Sequence, residues 1–183
     1  MSFATQEDVF NVIEQVVPFT FEKFTNWKVD KGPFVRIPYK EAMEKYGIDK
    51  PDLRNPLIIQ DVSKLFKTSD FNNFKGKTVK MIALPNGALQ GRKFFDKMAE
   101  YAMTEEVGAK GLAWTKFEET GEVTGGIAKF ITNEIKEKLQ KEYNVQNNSA
   151  IFFIADELKK AQKIAGMVRI ELGKRLDLLE KNT

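Results

Sequence analysis

Tyr46-Gly47-Ile48-Asp49-Lys50-Pro51-Asp52-Leu53-Arg54-Asn55-Pro56 stands between a short helical pattern and the first apolar run downstream of it. Gly47 is where that helix stops, because glycine takes the left-handed C′ conformation without a Cβ penalty. Pro51 and Pro56 push Lys50 and Asn55 out of the α region, so the segment reads as extended and turn-like. Its charged side chains are Asp49, Lys50, Asp52 and Arg54. They organise the joint through turns and through ion pairs of Lys50 and Arg54 with Asp49 and Asp52. The joint, residues 46–56, divides the chain into residues 1–56 and 57–183.

Composition narrows what either part can do. The chain has 183 residues, 42% of them hydrophobic, and its fifteen phenylalanines make an aromatic core. The net charge of +3 is spread through the sequence rather than gathered into the Lys/Arg stripe of a nucleic-acid binder. There is no cysteine, hence no disulfide, thiolate metal site or cysteine nucleophile. There is no histidine either, which removes the usual general base, the Ser-His-Asp triad and the commonest metal ligand. No apolar run approaches the roughly 20 residues of a membrane span, and the N-terminus carries no signal-peptide core. The expectation is a soluble, cytoplasmic polypeptide with no membrane partner.

Upstream of the joint, Thr5 caps a helix with acids in its first turn, and Val9, Phe10, Ile13, Val16 and Val17 recur on one face. Pro18 ends or kinks that helix, with Phe21, Phe24 and Trp27 continuing its apolar face. Lys31-Gly32 is a turn, Phe34–Ile37 a short strand between prolines, and Tyr39–Tyr46 a two-turn helix. Downstream, Asp61 caps a short helix to about Phe66, and Asp70–Phe74 forms a strand. Thr78–Leu84, Gly111–Phe117 and Ala150–Ala155 are strands, the last apolar enough to be central. Arg92–Val107 and Ile127–Tyr143 are long amphipathic helices that cover one face of a small sheet. Asp156 caps a final helix that Gly173 interrupts. This pattern is α+β, a two-layer domain.

The chemistry visible in the residues is sparse. Gly125-Gly126-Ile127-Ala128-Lys129 lacks the spacing and Lys-Ser/Thr of a phosphate loop, and reads as a helix entry. It is nevertheless where a self-standing enzyme would hold a nucleotide. Arg92, Lys93, Lys110, Lys116 and Lys129 are candidate phosphate contacts around the Gly111–Phe117 strand, and solvated lysines are the simpler account. Trp114 and Phe117 have the chemistry to stack on a base, and equally to fill a core. No catalytic, cofactor-binding or metal-ligating residue stands out.

Arg36-Ile37-Pro38-Tyr39-Lys40-Glu41-Ala42-Met43, running into the joint, resembles a segment of bacterial-type aspartyl-tRNA synthetases. In the same order, Gly108–Trp114, Ile127–Phe130, Ile151–Asp156 and Gly166–Gly173 resemble the GAD domain inserted in their catalytic domain. That domain recurs in one subunit of the tRNA-dependent amidotransferase, an alternative that Arg36–Pro56 argues against. The resemblance implies a GAD, DCoH-like module of mainly antiparallel sheet and helices over residues 57–183. A flanking helical and strand piece of a class II catalytic domain then occupies residues 1–56. The family's Phe-Arg-x-Glu strand and final glycine-rich strand-helix are missing, so the chain resembles an excised internal fragment, inactive by itself. The resemblance implies a dimeric parent that activates aspartate with ATP and magnesium and loads tRNA(Asp). This piece then aids tRNA recognition or domain positioning beside the rest of the catalytic domain. An insertion leaves and re-enters its host at neighbouring points, so Leu57 and Leu176–Leu179 should lie close together.

Overall fold

Thr5 opens the first helix with a reciprocal cap: its backbone N–H donates to Asp8 Oδ2 at 2.8 Å, and its hydroxyl accepts the Asp8 N–H at 3.3 Å. The computed structural model describes residues 3–26, 29, 32–67 and 69–180; Trp27 and Lys31, expected in an apolar face and a turn, lie outside them. The chain divides into two compact units, Met1–Pro38 and Tyr39–Thr183.

In the first unit, α1 (Gln6–Phe24) passes through Pro18 instead of ending there. Proline withdraws one N–H, while the Thr20 hydroxyl adds a 2.7 Å bond to the Val16 carbonyl in the same region. Arg36 donates to both carboxylate oxygens of Glu7, at 2.8 and 2.9 Å, and lies over the Phe10 ring at 4.4 Å. Phe34–Ile37 is not a strand: Pro33 and Pro38 bound it, and it has no ladder partner among the described residues. No α1 side chain is buried, and Val12, Val16, Phe19 and Phe24 are all more than half exposed.

The second unit contains α2 (Tyr39–Lys45), β1 (Ile59–Asp61), β2 (Thr78–Leu84), α3 (Arg92–Ala102), β3 (Ala113–Phe117), β4 (Val123–Thr124), α4 (Asn133–Glu142), β5 (Ala150–Asp156) and α5 (Leu158–Arg175). Its sheet has the order β1-β2-β5-β3-β4, with every pairing antiparallel. The apolar run Ala150–Ala155 is indeed central, between β2 and β3. The α+β class and antiparallel sheet agree with the sequence reading. The helices, however, are shared between both faces. Ile82, Leu84, Phe152 and Ile154 meet α3 and α5. Val79, Met81, Ile151 and Phe153 meet Phe66, Phe74 and the α4 residues Ile135 and Leu139. Strands that are apolar at both odd and even positions need cover on both sides. For that reason the two long helices expected together on one face stand on opposite ones.

Local chemistry explains the other departures. The expected Ile127–Tyr143 helix starts only at Asn133, because the Thr132 hydroxyl accepts the Ile135 N–H at 3.3 Å and sets the cap there. A short 3₁₀ turn, Ala128–Phe130, precedes it. Asp70–Phe74 also ends in a 3₁₀ turn rather than a strand, with Phe71 and Phe74 packed edge to face at 4.6 Å. Arg92–Val107 stops being helical at Ala102 and closes through turns that bond the Gly108 N–H to the Thr104 carbonyl. Asp156 ends β5 and pairs with Lys160, leaving Glu157 at the cap of α5. Gly173 does not interrupt that helix, which continues to Arg175.

Phe95 centres the α3 side. It is fully buried, nearly parallel to Trp114 at 4.1 Å and to Phe152 at 5.6 Å. Phe95→Ala should lower unfolding free energy by about 3–5 kcal/mol in a urea melt. On β2 the buried Lys80 ammonium is neutralised by Asp61 at 3.0 Å. Partial burial works to raise the Asp61 carboxyl, but bonds from Ser63 and Lys80 outweigh it and hold it below the usual carboxylate range. The stabilisation this depression gives is present above the unfolded value, about 4, and is lost as pH falls through the lower folded value. Melting temperature should therefore drop as pH falls below about 4, by less in Asp61→Asn, when followed by circular dichroism.

Candidate functional site: the joint, the cationic side chains and the family match

Gly47 ends α2 as expected: its N–H bonds to the Met43 carbonyl at 3.2 Å, and its φ is +70°. It also touches α5. A Cβ at Gly47 would strike the Gln162 carbonyl and come within 2.6 Å of Gly166, and a Cβ at Gly166 would lie 2.7 Å from the Gly47 carbonyl. Two glycines thus let two backbones meet, one of them in a conformation that side chains resist.

Beyond this contact the joint is held by a buried cation. Arg169, in the middle of α5, is fully buried. Its Nε donates to the Leu57 carbonyl at 2.5 Å, and its Nη2 donates to the carbonyls of Asn55 at 2.7 Å and Asp52 at 3.2 Å. The guanidinium also lies over the Tyr46 ring at 5.0 Å. Burial pushes its pKa down, opposed by Tyr46 and Asp52, yet an arginine stays charged throughout the working pH range. Asn55 completes the arrangement. Its amide donates to the Arg169 carbonyl at 3.0 Å, its oxygen accepts the Leu57 N–H at 3.1 Å, and it presses on Gly173. That is why Gly173 must be glycine although α5 runs straight through it.

The charged side chains of the joint play a smaller, local part. Lys50 pairs with Asp49 at 3.0 Å, and Arg54 with Asp52 at 2.7 Å, all substantially exposed. Their hydrogen bonds hold both carboxyls below the usual range, Asp49 through Lys50 and Asp52 through Arg54. The long-range geometry runs instead through the main chain: the Glu180 N–H donates to the Arg54 carbonyl at 3.0 Å. Leu57, Leu176 and Leu178 share one core, so these two stretches of chain do stand side by side. Sequence reasoning missed Asn55, Gly166 and Arg169. The available signal was a cation inside an otherwise apolar helical stripe, with Gly166 and Gly173 around it.

The five candidate phosphate contacts do not form one surface. Arg92 and Lys93 open α3, whereas Lys110 follows its far end, on the order of 15 Å away at helical rise. Lys129 lies in the 3₁₀ turn on the α4 side, its ammonium over the Phe130 ring at 5.0 Å. Lys116 donates to the carbonyls of Ala88 at 2.9 Å and Gln90 at 2.7 Å, tying down the loop before α3. Trp114 is enclosed by Phe95 on one side and Gly125 on the other, where a Cβ would collide with its ring. Phe117 is fully buried. Neither offers a free stacking face. Gly125 and Gly126 are thus packing residues, and the amides that follow them are engaged: Ile127 N–H to the Trp114 carbonyl at 3.0 Å, Ala128 N–H to Gly125 at 2.9 Å. Among the described residues no three acids converge as a metal site would require.

The profile of the GAD domain matches residues 69–165, more than half of the chain. The chain belongs to the GAD-domain family. The match takes in β2 to β5 and the start of α5. Beyond it, the whole chain aligns with part of longer proteins. It is 51% identical to the aspartate--tRNA(Asp/Asn) ligase of Rickettsia bellii, 52% to that of Rickettsia felis and 50% to that of Rickettsia prowazekii. In each case the alignment covers all of this chain and 31% of the relative, so the chain spans about a third of the length of the curated relatives it matches.

Arg169→Ala would take the Arg169 donor from the buried Asn55 and Leu57 carbonyls and open a cavity, and should cost about 3–5 kcal/mol in urea denaturation. Lys50→Ala, removing an exposed ion pair, should leave the midpoint unchanged in the same measurement.

Proposed function

We propose that this chain is the part of an aspartate–tRNA ligase in which the catalytic domain passes into its inserted GAD module. The observation that carries the reading is identity of about half along the entire chain, joint included, to enzymes named as aspartate--tRNA(Asp/Asn) ligases. The paired ends of the module support it, since an insertion needs them adjacent. So does α1, whose apolar face is unburied as expected of a piece of a larger core. In this reading residues 1–56 belong to the flanking catalytic domain and 57–183 to the module, with 46–56 fastened to α5 as the connection.

The parent, working in the cytoplasm as a homodimer, activates aspartate with ATP and magnesium and loads tRNA(Asp). The residues present here do not fit that cofactor pair. In the Gly125–Lys129 turn the Ile127 and Ala128 amides bond internally, and the acids of the described residues form no metal cluster. No chemical step is therefore assigned to this chain, and its role is to position the catalytic domain and to aid tRNA recognition. A self-standing nucleotide enzyme loses its best site on the same geometry. The amidotransferase subunit is disfavoured by ligase relatives that extend over residues 1–56. Among the described residues no helix is long and apolar enough to cross a membrane.

Filter binding should show that the chain retains tRNA at low salt, with an affinity that falls steeply as salt displaces phosphate contacts. Retention of no tRNA at low salt would leave only the positioning role. Saturable calorimetric binding of ATP and aspartate, lost in Lys129→Ala, would overturn the noncatalytic reading.

A further inference from the structure

Strand β5 is longer than its neighbour β3. The β3–β5 ladder ends at Ala113↔Phe153, whereas β5 continues with β2 to Asp156. Where β3 falls short, a cleft of about 410 Å³ opens, within the size range of small-ligand sites. Its base is apolar, formed by Phe74, Ala113, Ile127 and Phe153. Lys77 and Lys110 stand exposed at its rim. Asp156 is the one carboxylate that lines it, and Lys160 neutralises that charge at 2.9 Å. Cations therefore dominate the opening.

The back of the cleft offers main chain. Phe117 N–H donates to the Ser149 carbonyl at 2.8 Å, so alternate residues of β5 turn their polar groups toward β3. Continuing that register points Ala155 into the cleft, opposite Gly111, two residues past the end of the ladder. Gly111 has no left-handed φ, and a Cβ placed on it meets nothing within 4 Å. Neither conformation nor internal packing requires glycine there, and its absence of a side chain leaves the backbone open to an outside group.

We propose that this cleft receives one unpaired nucleotide of an RNA strand, with its phosphate on Lys77 and Lys110 and its base over the apolar floor. The main chain of Ala155 then meets the edge of the base, and Gly111 leaves room for it. An extended peptide fits less well, because β-augmentation draws on a run of main-chain positions and this edge offers Ala155 alone. The site rests on the module's proposed work beside tRNA. It adds where an unpaired residue of that RNA is held, at a place that only Lys110 of the five candidate cations borders.

The test uses the whole 183-residue chain, isotope-labelled, titrated with a tetra-adenylate RNA. The amides of Gly111 and Ala155 and the indole N–H of Trp114 should shift together. Lys77→Glu combined with Lys110→Glu should weaken binding by about tenfold or more and flatten its salt dependence by roughly two phosphate contacts. Gly111→Leu, which fills the cleft and leaves the charges in place, should abolish the shifts without altering the circular dichroism spectrum. Shifts centred elsewhere, or binding unchanged in both variants, would overturn the site. A tetra-alanine peptide that moves the same amides more strongly would overturn it in favour of peptide docking. Filter-bound tRNA without any perturbation of the cleft would overturn the site alone. Binding of neither RNA would overturn both the site and the tRNA-recognition role.

Discussion

Arg169 and the three carbonyls around it fasten the joint to α5 inside the second unit. A buried guanidinium is costly unless its donors are met, and here main-chain oxygens of Asp52, Asn55 and Leu57 meet them. Carbonyls supply the bonds without a buried counter-ion, so the cation acts as a clamp on the path of the backbone. Its planar fork presents donors in a fixed geometry that matches carbonyls spread along the segment, where a lysine ammonium would present a single point. The Gly47–Gly166 contact and the Asn55–Gly173 contact press the same segment onto the same helix. Together they turn a proline-interrupted stretch with little hydrogen-bonded structure of its own into a defined connection.

That clamp matters because α5 is itself anchored. Its buried face, from Ala161 to Leu172, packs on the sheet beside α3, and the sheet is sealed on its other side by the α4 cluster. With β5 at the centre and cover on both faces, movement of the joint against the module would have to disturb the core. A connection built this way transmits orientation, which suits the insertion proposed above. The hydrogen bond from Glu180 to Arg54 closes that neck. The same sheet also creates the cleft, simply because β3 is shorter than β5 at one end.

Much of this could be read in the residues. The β2, β3 and β5 strands announce themselves as apolar runs bounded by glycine, proline or asparagine, and the Thr5 cap and the Gly47 stop have local causes. The charges of the joint, by contrast, point to Asp49, Lys50, Asp52 and Arg54, whose side chains pair only with near neighbours. Arg169 looked like one more cation on a helix, since nothing in a sequence shows that a residue more than a hundred positions away supplies its acceptors. In the sequence the candidate phosphate contacts gather around one strand. Folding scattered them, and Lys116 was drawn inward to two carbonyls.

By itself the sequence determined the α+β class, the central strand, the family and the adjacency demanded of the two ends, because each depends on local periodicity, backbone preference or whole-chain likeness. Tertiary structure alone decided which helices share a face, where the joint is fastened and why Gly166 and Gly173 are glycine. It decided as well that a gap beside β5 faces Gly111. Those features depend on pairings between distant residues, and burial, which sets the value of each pairing, exists only once the chain has folded.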